Sequence, residues 1–450
     1  MVPKSAVALA LADTLLSRDS SVAGMAAGAV WAFDAQLPWI PALCAAIAER
    51  CGEHFHAFSR KELADIILAQ EVFGAAFEPG KVAPQIVRYC IEQPLSAPAP
   101  AWLSALSLPA LATVGELARW LDIRPDELAW FANKWRVPSS AESPLQHYHY
   151  RWMAKRSGGA RLIEIPKKRL RLLQQKILRG ILDHVPPHQA AHGFRRGRSC
   201  LTHASLHTGR QLVLRMDLKD FFPSIPASRV QAMFARLGYG AGVAGVLARL
   251  CVNRTPAGAA LTSPAALSFS ERHALRTPHL PQGSPCSPAL ANACAFRLDV
   301  RLDSFAKSML ASYSRYADDL VFSGGSELAR GLERFHIQVA AIALEEGFAV
   351  NTRKTRGMRQ GTRQEVTGVV VNAHANLPRA QFDALKAILT NCVRHGPQTQ
   401  NREGRDDFRA WLTGRVAYAA MVNPARGARL HKLLHAVVWT APSAGTPNLP

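Results

Sequence analysis

Apolar positions recur at helical spacing through most of the first 136 residues, where Ala, Leu and Trp are frequent and Leu63, Ile66, Ile67 and Gln70 exemplify the period. The Pro-rich stretch 94–100 interrupts this pattern and predicts a helical region in two parts. After Pro138-Ser139-Ser140 the pattern changes. Residues 150–155 and 161–165 read as short strands around the hairpin-type turn Ser157-Gly158-Gly159. A long helix is expected next, because Leu170, Leu173, Ile177 and Ile181 share one stripe while Lys168, Arg171, Gln175 and Arg179 occupy other faces. Residues 211–217 form a β-rich run ending in an acid, and 313–323 read as strand, turn, strand with Asp318-Asp319 at the bend. Between these runs, a loop over 280–288 is stiffened by prolines and leads into a helix carrying Ala291, Cys294, Leu298, Leu302 and Phe305. A strand over 365–372 precedes two helices. One carries Phe382, Leu385, Leu389 and Cys392 and stops at Gly396-Pro397; the other spans 408–422 and stops before Pro424. Strands and helices without strict alternation predict an α+β fold.

Charge adds a partner to this picture. The 450 residues carry 54 Lys+Arg against 33 Asp+Glu, a net charge of +21. Residues 1–150 hold 11 basic and 15 acidic side chains and the remainder 43 and 18, so the basic function belongs to the last two thirds. Nucleic acid is the expected polyanion. The eight cysteines lie far apart, without the pairs of zinc or redox sites, and read as reduced, mostly buried thiols. His184, His188 and His192 are spaced by four residues, but Pro186-Pro187 breaks the helix that would align them as ligands. No apolar run reaches the roughly 18 residues that span a bilayer, and Asp13 interrupts the N-terminal apolar stretch, so a cytoplasmic protein without a membrane partner is expected.

Candidate chemistry lies in the acids. Nucleotidyl transfer needs carboxylates converging from separate elements to fix two divalent cations about 3.5–4 Å apart, and hard oxygen ligands suit two Mg²⁺ ions. Asp217 at a strand end and Asp318-Asp319 at a hairpin tip meet this demand if their strands pair. An Asp-Asp pair alone is weak evidence, since Asp406-Asp407 reads only as the start of a helix. The first pair differs in lying between Tyr316-Ala317 and Leu320-Val321-Phe322, where clustered acids are costly without a cation.

Three segments then occur in order: Arg215-Met216-Asp217-Leu218-Lys219-Asp220-Phe221-Phe222-Pro223-Ser224-Ile225; Leu280-Pro281-Gln282-Gly283 with Ser287-Pro288; and Arg315-Tyr316-Ala317-Asp318-Asp319. Together they resemble the successive motifs of reverse transcriptases. The resemblance implies a right-hand polymerase with fingers, palm and thumb, and it makes Asp217, Asp318 and Asp319 the metal ligands, helped by the carbonyl of Leu218. It gives Phe222 the role of excluding a ribose 2′-hydroxyl, with Phe221 as its packed partner, and places Gln282 and Gly283 against the incoming nucleotide. Lys155 and Arg161 resemble the finger residues that hold the triphosphate, with Arg156 as a rival for the first role. Lys354 resembles a lysine that protonates pyrophosphate.

Within that family the chain is similar to bacterial retron enzymes over about residues 140–435. Residues 191–199, Ala-His-Gly-Phe-Arg-Arg-Gly-Arg-Ser, followed by His203-Ala204-Ser205-Leu206-His207, look like the retron-specific segment, with His203 where the family has Asn. Val366-Thr367-Gly368 looks like the second retron signature. The resemblance implies RNA contacts for His203, Ala204, His207, Val366, Thr367 and Gly368, a cognate structured non-coding RNA, dNTP substrates, a branched RNA–DNA product primed from a guanosine 2′-hydroxyl, antiphage defence and an effector or toxin partner. The expected organisation is an α-helical extension over 1–138, fingers and palm over 139–372, and a basic helical thumb over 373–450 containing Arg394, Arg402, Arg405, Arg409, Arg415, Arg426 and Arg429. Competing readings are an intron-encoded, diversity-generating or abortive-infection reverse transcriptase, and a noncatalytic RNA-binding scaffold, for which three converging acids have no use.

Overall fold

Helical periodicity at the start of the chain becomes a self-contained core. In the computed structural model, which describes residues 3–90, 101–132, 146–155 and 158–439, helices Lys4–Leu16, Val22–Phe33, Ile40–Cys51, Arg60–Leu68 and Glu71–Ala75 bury Leu11, Leu15, Met25, Leu43, Ile47, Leu63, Ile67 and Phe73 together. Ser59 and Glu62 form a reciprocal cap that starts the fourth helix. Gln70 falls outside that helix, at the start of the next, and its Nε2 donates back to the Ile66 carbonyl at 3.3 Å. The expected breaks at 94–100 and 138–140 lie outside the described residues.

Two compact units divide the chain. The first comprises Met1–Val185 and Pro226–Ser287, the second Pro186–Ile225 and Pro288–Pro450, so residues 139–372 contribute to both. In the first unit, β1 (Tyr148–Ala154) pairs antiparallel with β2 (Ala160–Pro166), with Met153 opposite Arg161. Helix Lys168–Gly180 follows, burying Leu170, Leu173 and Ile177 as expected, together with Gln174.

The second unit is built on an antiparallel sheet of β3 (Leu212–Asp217), β4 (Ser312–Tyr316), β5 (Asp319–Gly324) and β6 (Arg356–Arg359), in the order β4-β5-β3-β6. The helix expected through Ala291 to Phe305 is two helices, Ser287–Cys294 and Phe296–Ser308. Buried Leu290, Ala291, Cys294, Leu298 and Leu302 continue across the break, which is why periodicity does not register it. The strand expected over 365–372 is a tight hairpin of β7 (Glu365–Val366) and β8 (Val369–Val370). Thr367 turns the chain with a left-handed φ of 47°, a conformation that the valines around it conceal from a strand pattern.

Helices Arg379–His395, Phe408–Val422 and Pro424–His435 close the second unit through Phe382, Leu385, Leu389, Leu412, Val416, Ala419 and Leu430, which share a core with Val366, Val369 and Val371. Gly427 makes the last crossing possible, since a Cβ there would lie 2.3 Å from Ala420 Cα. Asp407 caps the second of these helices, its Oδ1 accepting from Ala410 N at 2.8 Å. All eight cysteines are free thiols. Among the described residues no helix is long and apolar enough to cross a membrane.

Candidate active site

Strand register brings the predicted acids together. β3 pairs with β5 so that Asp217, the last residue of one strand, stands opposite Asp319, the first of the other. Asp318 precedes β5 at the turn, and its carbonyl accepts from Leu218 N at 2.9 Å. Ala317 at the turn and Asp220 just beyond β3 both take left-handed φ values, 57° and 47°. Non-glycine residues held there cost energy and cluster at functional sites.

Electrostatics explains how these acids coexist. Lys354 Nζ lies 3.1 and 2.9 Å from the two oxygens of Asp217, and Arg215 grips Asp319 with Nε and Nη2 at 2.9 and 2.7 Å. Among the described residues Asp318 has no ion-pair partner. Burial, then the charge of Asp217, raises its pKa above the ordinary carboxylate range. Burial also raises that of Asp319 and outweighs the opposing pull of Arg215. No three Asp, Glu, His or Cys side chains form a ready metal cage among the described residues; Asp217 and Asp319 are turned towards Lys354 and Arg215. The donor set nevertheless suits Mg²⁺: three adjacent carboxylates at strand ends, mutually repelled and drawn towards added positive charge.

A buried arginine that sequence reasoning left without a role holds the turn. Arg315 is wholly buried and donates to Asp299 from Nε and Nη2 at 2.8 and 2.6 Å, while its Nη1 donates to Asn292 Oδ1 at 3.0 Å and to the Ala317 carbonyl at 3.1 Å. Asn292 also donates to the Gly193 carbonyl at 2.9 Å. A buried arginine needs a buried acid, but sequence spacing does not identify Asp299 as that acid.

Phe222 is half-buried, with its ring 5.6 Å from that of buried Phe221 and 6.0 Å from that of Phe194. Lys155 and Arg161 lie in the first unit beside the turn of β1 and β2, where Gly158 N donates to the Lys155 carbonyl at 3.1 Å. Arg156 lies outside the described residues. Gln282 and Gly283 also belong to the first unit, on the loop that follows His279.

The two retron-like segments meet within the second unit. Helix Cys200–Ser205 packs on the β7–β8 hairpin, Ala204 shares a core with Val366, and Thr367 Oγ1 donates to the Cys200 carbonyl at 3.2 Å. Their side chains, however, point inwards: His203, Ala204, His207 and Val366 are fully buried, and only Thr367 and Gly368 keep partial exposure. The first four keep their side chains inside the unit in this conformation. His207 instead bridges Ser314 of β4 and Ser323 of β5, each at 2.7 Å, tying together the hairpin that carries Asp318 and Asp319. Burial leaves the ring of His203 5.7 Å from Tyr316 and presses its pKa down to about 2.

Acids at the ends of paired antiparallel strands, with the sequence motifs around them, match the family model for reverse transcriptase (RNA-dependent DNA polymerase) over residues 153–371. Over those residues the chain is similar to the reverse transcriptase family. The relatives that it matches are bacterial retron enzymes. It is 42% identical over 287 residues to the retron Mx65 reverse transcriptase of Myxococcus xanthus, covering 64% of each chain. It is 35% identical over 340 residues to the retron Mx162 reverse transcriptase of the same organism, covering 72% of this chain and 66% of that one. It is 31% identical over 230 residues to the retron Ec86 reverse transcriptase of Escherichia coli, covering 51% and 64%. The chain thus spans just under two thirds of the length of these relatives. Among solved structures, a telomerase from Candida albicans aligns over 70% of this chain and 59% of that chain, with 11% identity and a TM-score of 0.36, too loose a likeness to carry an argument.

Proposed function

We propose that this protein is an RNA-directed DNA polymerase of retron type, which copies a cognate structured non-coding RNA into DNA by two-metal nucleotidyl transfer. The observation that carries this reading is the in-register pairing of Asp217 with Asp319, beside an Asp318 that has no cation of its own. Two bound Mg²⁺ ions would activate the attacking hydroxyl and bind the triphosphate. The residues that would hold them are Asp217, Asp318 and Asp319. Lys354, released from Asp217, becomes a cation and proton source at the leaving group. Lys155 and Arg161 meet triphosphate charge, Gln282 and Gly283 contact the nucleotide, and Phe222 excludes the 2′-hydroxyl.

The likeness to retron enzymes supports this template and primer. The proposed product is a branched RNA–DNA molecule, made in phage defence alongside an effector or toxin. The three C-terminal helices act as a thumb on the RNA backbone, a role supported by ten Lys+Arg against four Asp+Glu over 373–450. Right-hand organisation into fingers, palm and thumb belongs to the same reading.

The test is to purify the protein with its own RNA and supply dNTPs and Mg²⁺. DNA extension and a branched RNA–DNA species are expected, and Asp318→Asn should abolish extension while RNA stays bound. Persistent polymerisation by that variant would remove the two-metal assignment.

A further inference from the structure

A carboxylate buried inside a protein is costly unless its oxygens are matched by donors. Glu164, midway along β2, is matched fully. Its Oε1 accepts from Asn253 Nδ2 at 2.8 Å and Thr255 Oγ1 at 2.9 Å, and its Oε2 from His279 Nε2 at 2.9 Å. The other nitrogen of His279 lies 2.8 Å from the Thr277 carbonyl, which only accepts, so Nδ1 carries a proton. Nε2 faces a carboxylate and carries the second. The two side chains, 1% and 2% exposed, therefore form an ion pair in the interior. Asn253 and His279 are also joined through their main chains by a reciprocal pair of hydrogen bonds, each 2.8 Å.

Three residues beyond His279, the chain returns to the same glutamate. Glu164 N donates to the Gln282 carbonyl at 2.9 Å. Gly283 then passes so close that a Cβ would lie 2.6 Å from the Glu164 carbonyl oxygen, and its φ of 138° suits glycine alone. Downstream, Ser284 Oγ donates to Gln174 Oε1 at 3.0 Å and Ser287 Oγ to the Pro281 carbonyl at 2.6 Å. One residue thus grips the loop twice, by its side chain through His279 and by its main chain at Gln282. A charged group is a poor choice if filling a core were its only task, since an apolar residue of similar volume fills space without desolvation.

We propose that Glu164, acting with His279, is a positioning residue for nucleotide binding, fixing the height and direction of Gln282 and Gly283 against β2. The inference rests on the reading of Gln282 as a nucleotide contact. Small displacements of a positioned group have large kinetic effects, so Glu164→Gln, which keeps the shape and removes the charge, should raise the KM for dNTPs roughly tenfold and leave kcat nearly unchanged.

A double-mutant cycle on the full chain with its co-purified RNA tests this, with dTTP incorporation as the readout. Gln282→Ala should raise KM by itself, and Glu164→Gln should add almost nothing in that background. His279→Gln, which keeps a donor towards Glu164, gives the same measurement if Glu164→Gln does not fold. Independent, multiplying effects would overturn the proposal, as would a fall in kcat with KM unchanged or loss of the folded state in both variants. An unchanged KM in Gln282→Ala would instead remove the nucleotide role of Gln282, and with it the basis of the inference.

Discussion

Lys354 forms an ion pair with Asp217 at the end of the four-stranded sheet, its Nζ 2.9 and 3.1 Å from the carboxylate oxygens. A divalent ion must compete with that ammonium for the same oxygens. Lys354→Met should therefore lower the half-saturating Mg²⁺ concentration several-fold and also lower kcat, because the proposed proton source is gone. Titrating incorporation with Mg²⁺ measures both; a higher Mg²⁺ requirement would make Lys354 part of the assembled site instead.

The two Asp-Asp pairs should respond in opposite ways. Asp318→Asn removes a half-buried charge without an ion-pair partner among the described residues, so incorporation should fall by at least about 10³-fold, while Tm holds or rises. Asp407→Ala should leave incorporation intact and cost about 1 kcal/mol through loss of the cap to Ala410. Calorimetry beside a primer-extension assay separates them.

Phe222→Ala should relax exclusion of rNTPs, read as the ratio of kcat/KM for dNTP and rNTP. Phe194→Ala should relax it less, if that ring acts by supporting Phe222, whose ring lies 6.0 Å away. Unchanged sugar discrimination in Phe222→Ala would end the gating role.

Acid should weaken the second unit through its buried histidines. Burial lowers the pKa of His192 to about 4 and of His207 to about 3, from an ordinary value of 6.5. The unfolded chain binds these protons first, so stability is complete above pH 6.5 and is lost as pH falls from there towards 4. Each such imidazole contributes a slope of about 1.4 kcal/mol per pH unit. Urea midpoints across that range measure the slope, and His203→Leu should flatten it by one imidazole's share.

Gly427→Leu should destabilise the C-terminal helices by about 2–4 kcal/mol, since the crossing at Ala420 has no room for a side chain. A denaturant midpoint within error of the parent chain would refute that contact.

The acids were legible because their signals are local: a β-rich run ending in Asp217, and an apolar hairpin with Asp318-Asp319 at its bend. Gln282 stands out only through its motif, and its place on a loop bound to Glu164 was not legible. Glu164, His279, Arg315 and Asp299 were not, because their meaning lies in partners: Glu164 is 115 residues from His279, and an isolated charge reads as surface until its burial is known. The burial of His203 and His207 was hidden for the opposite reason. A polar motif reads as surface, yet both side chains lie inside, one of them lacing two strands together. The hairpin at Thr367 escaped notice because valines on both sides mimic a continuous strand.

The interleaving of the two units sets a timetable for synthesis. Arg215 leaves the ribosome 104 residues before Asp319, its partner on β5. At 5–20 residues per second that is a wait of roughly 5–20 s, during which β3 has no β5 edge to join and the intervening 226–287 segment completes the other unit. The newborn chain thus carries an unpaired, apolar strand for seconds. Yield in a heterologous host should depend on what shelters that strand, and slowing or crowding translation between residues 217 and 319 should cost more soluble protein than the same change made after residue 360.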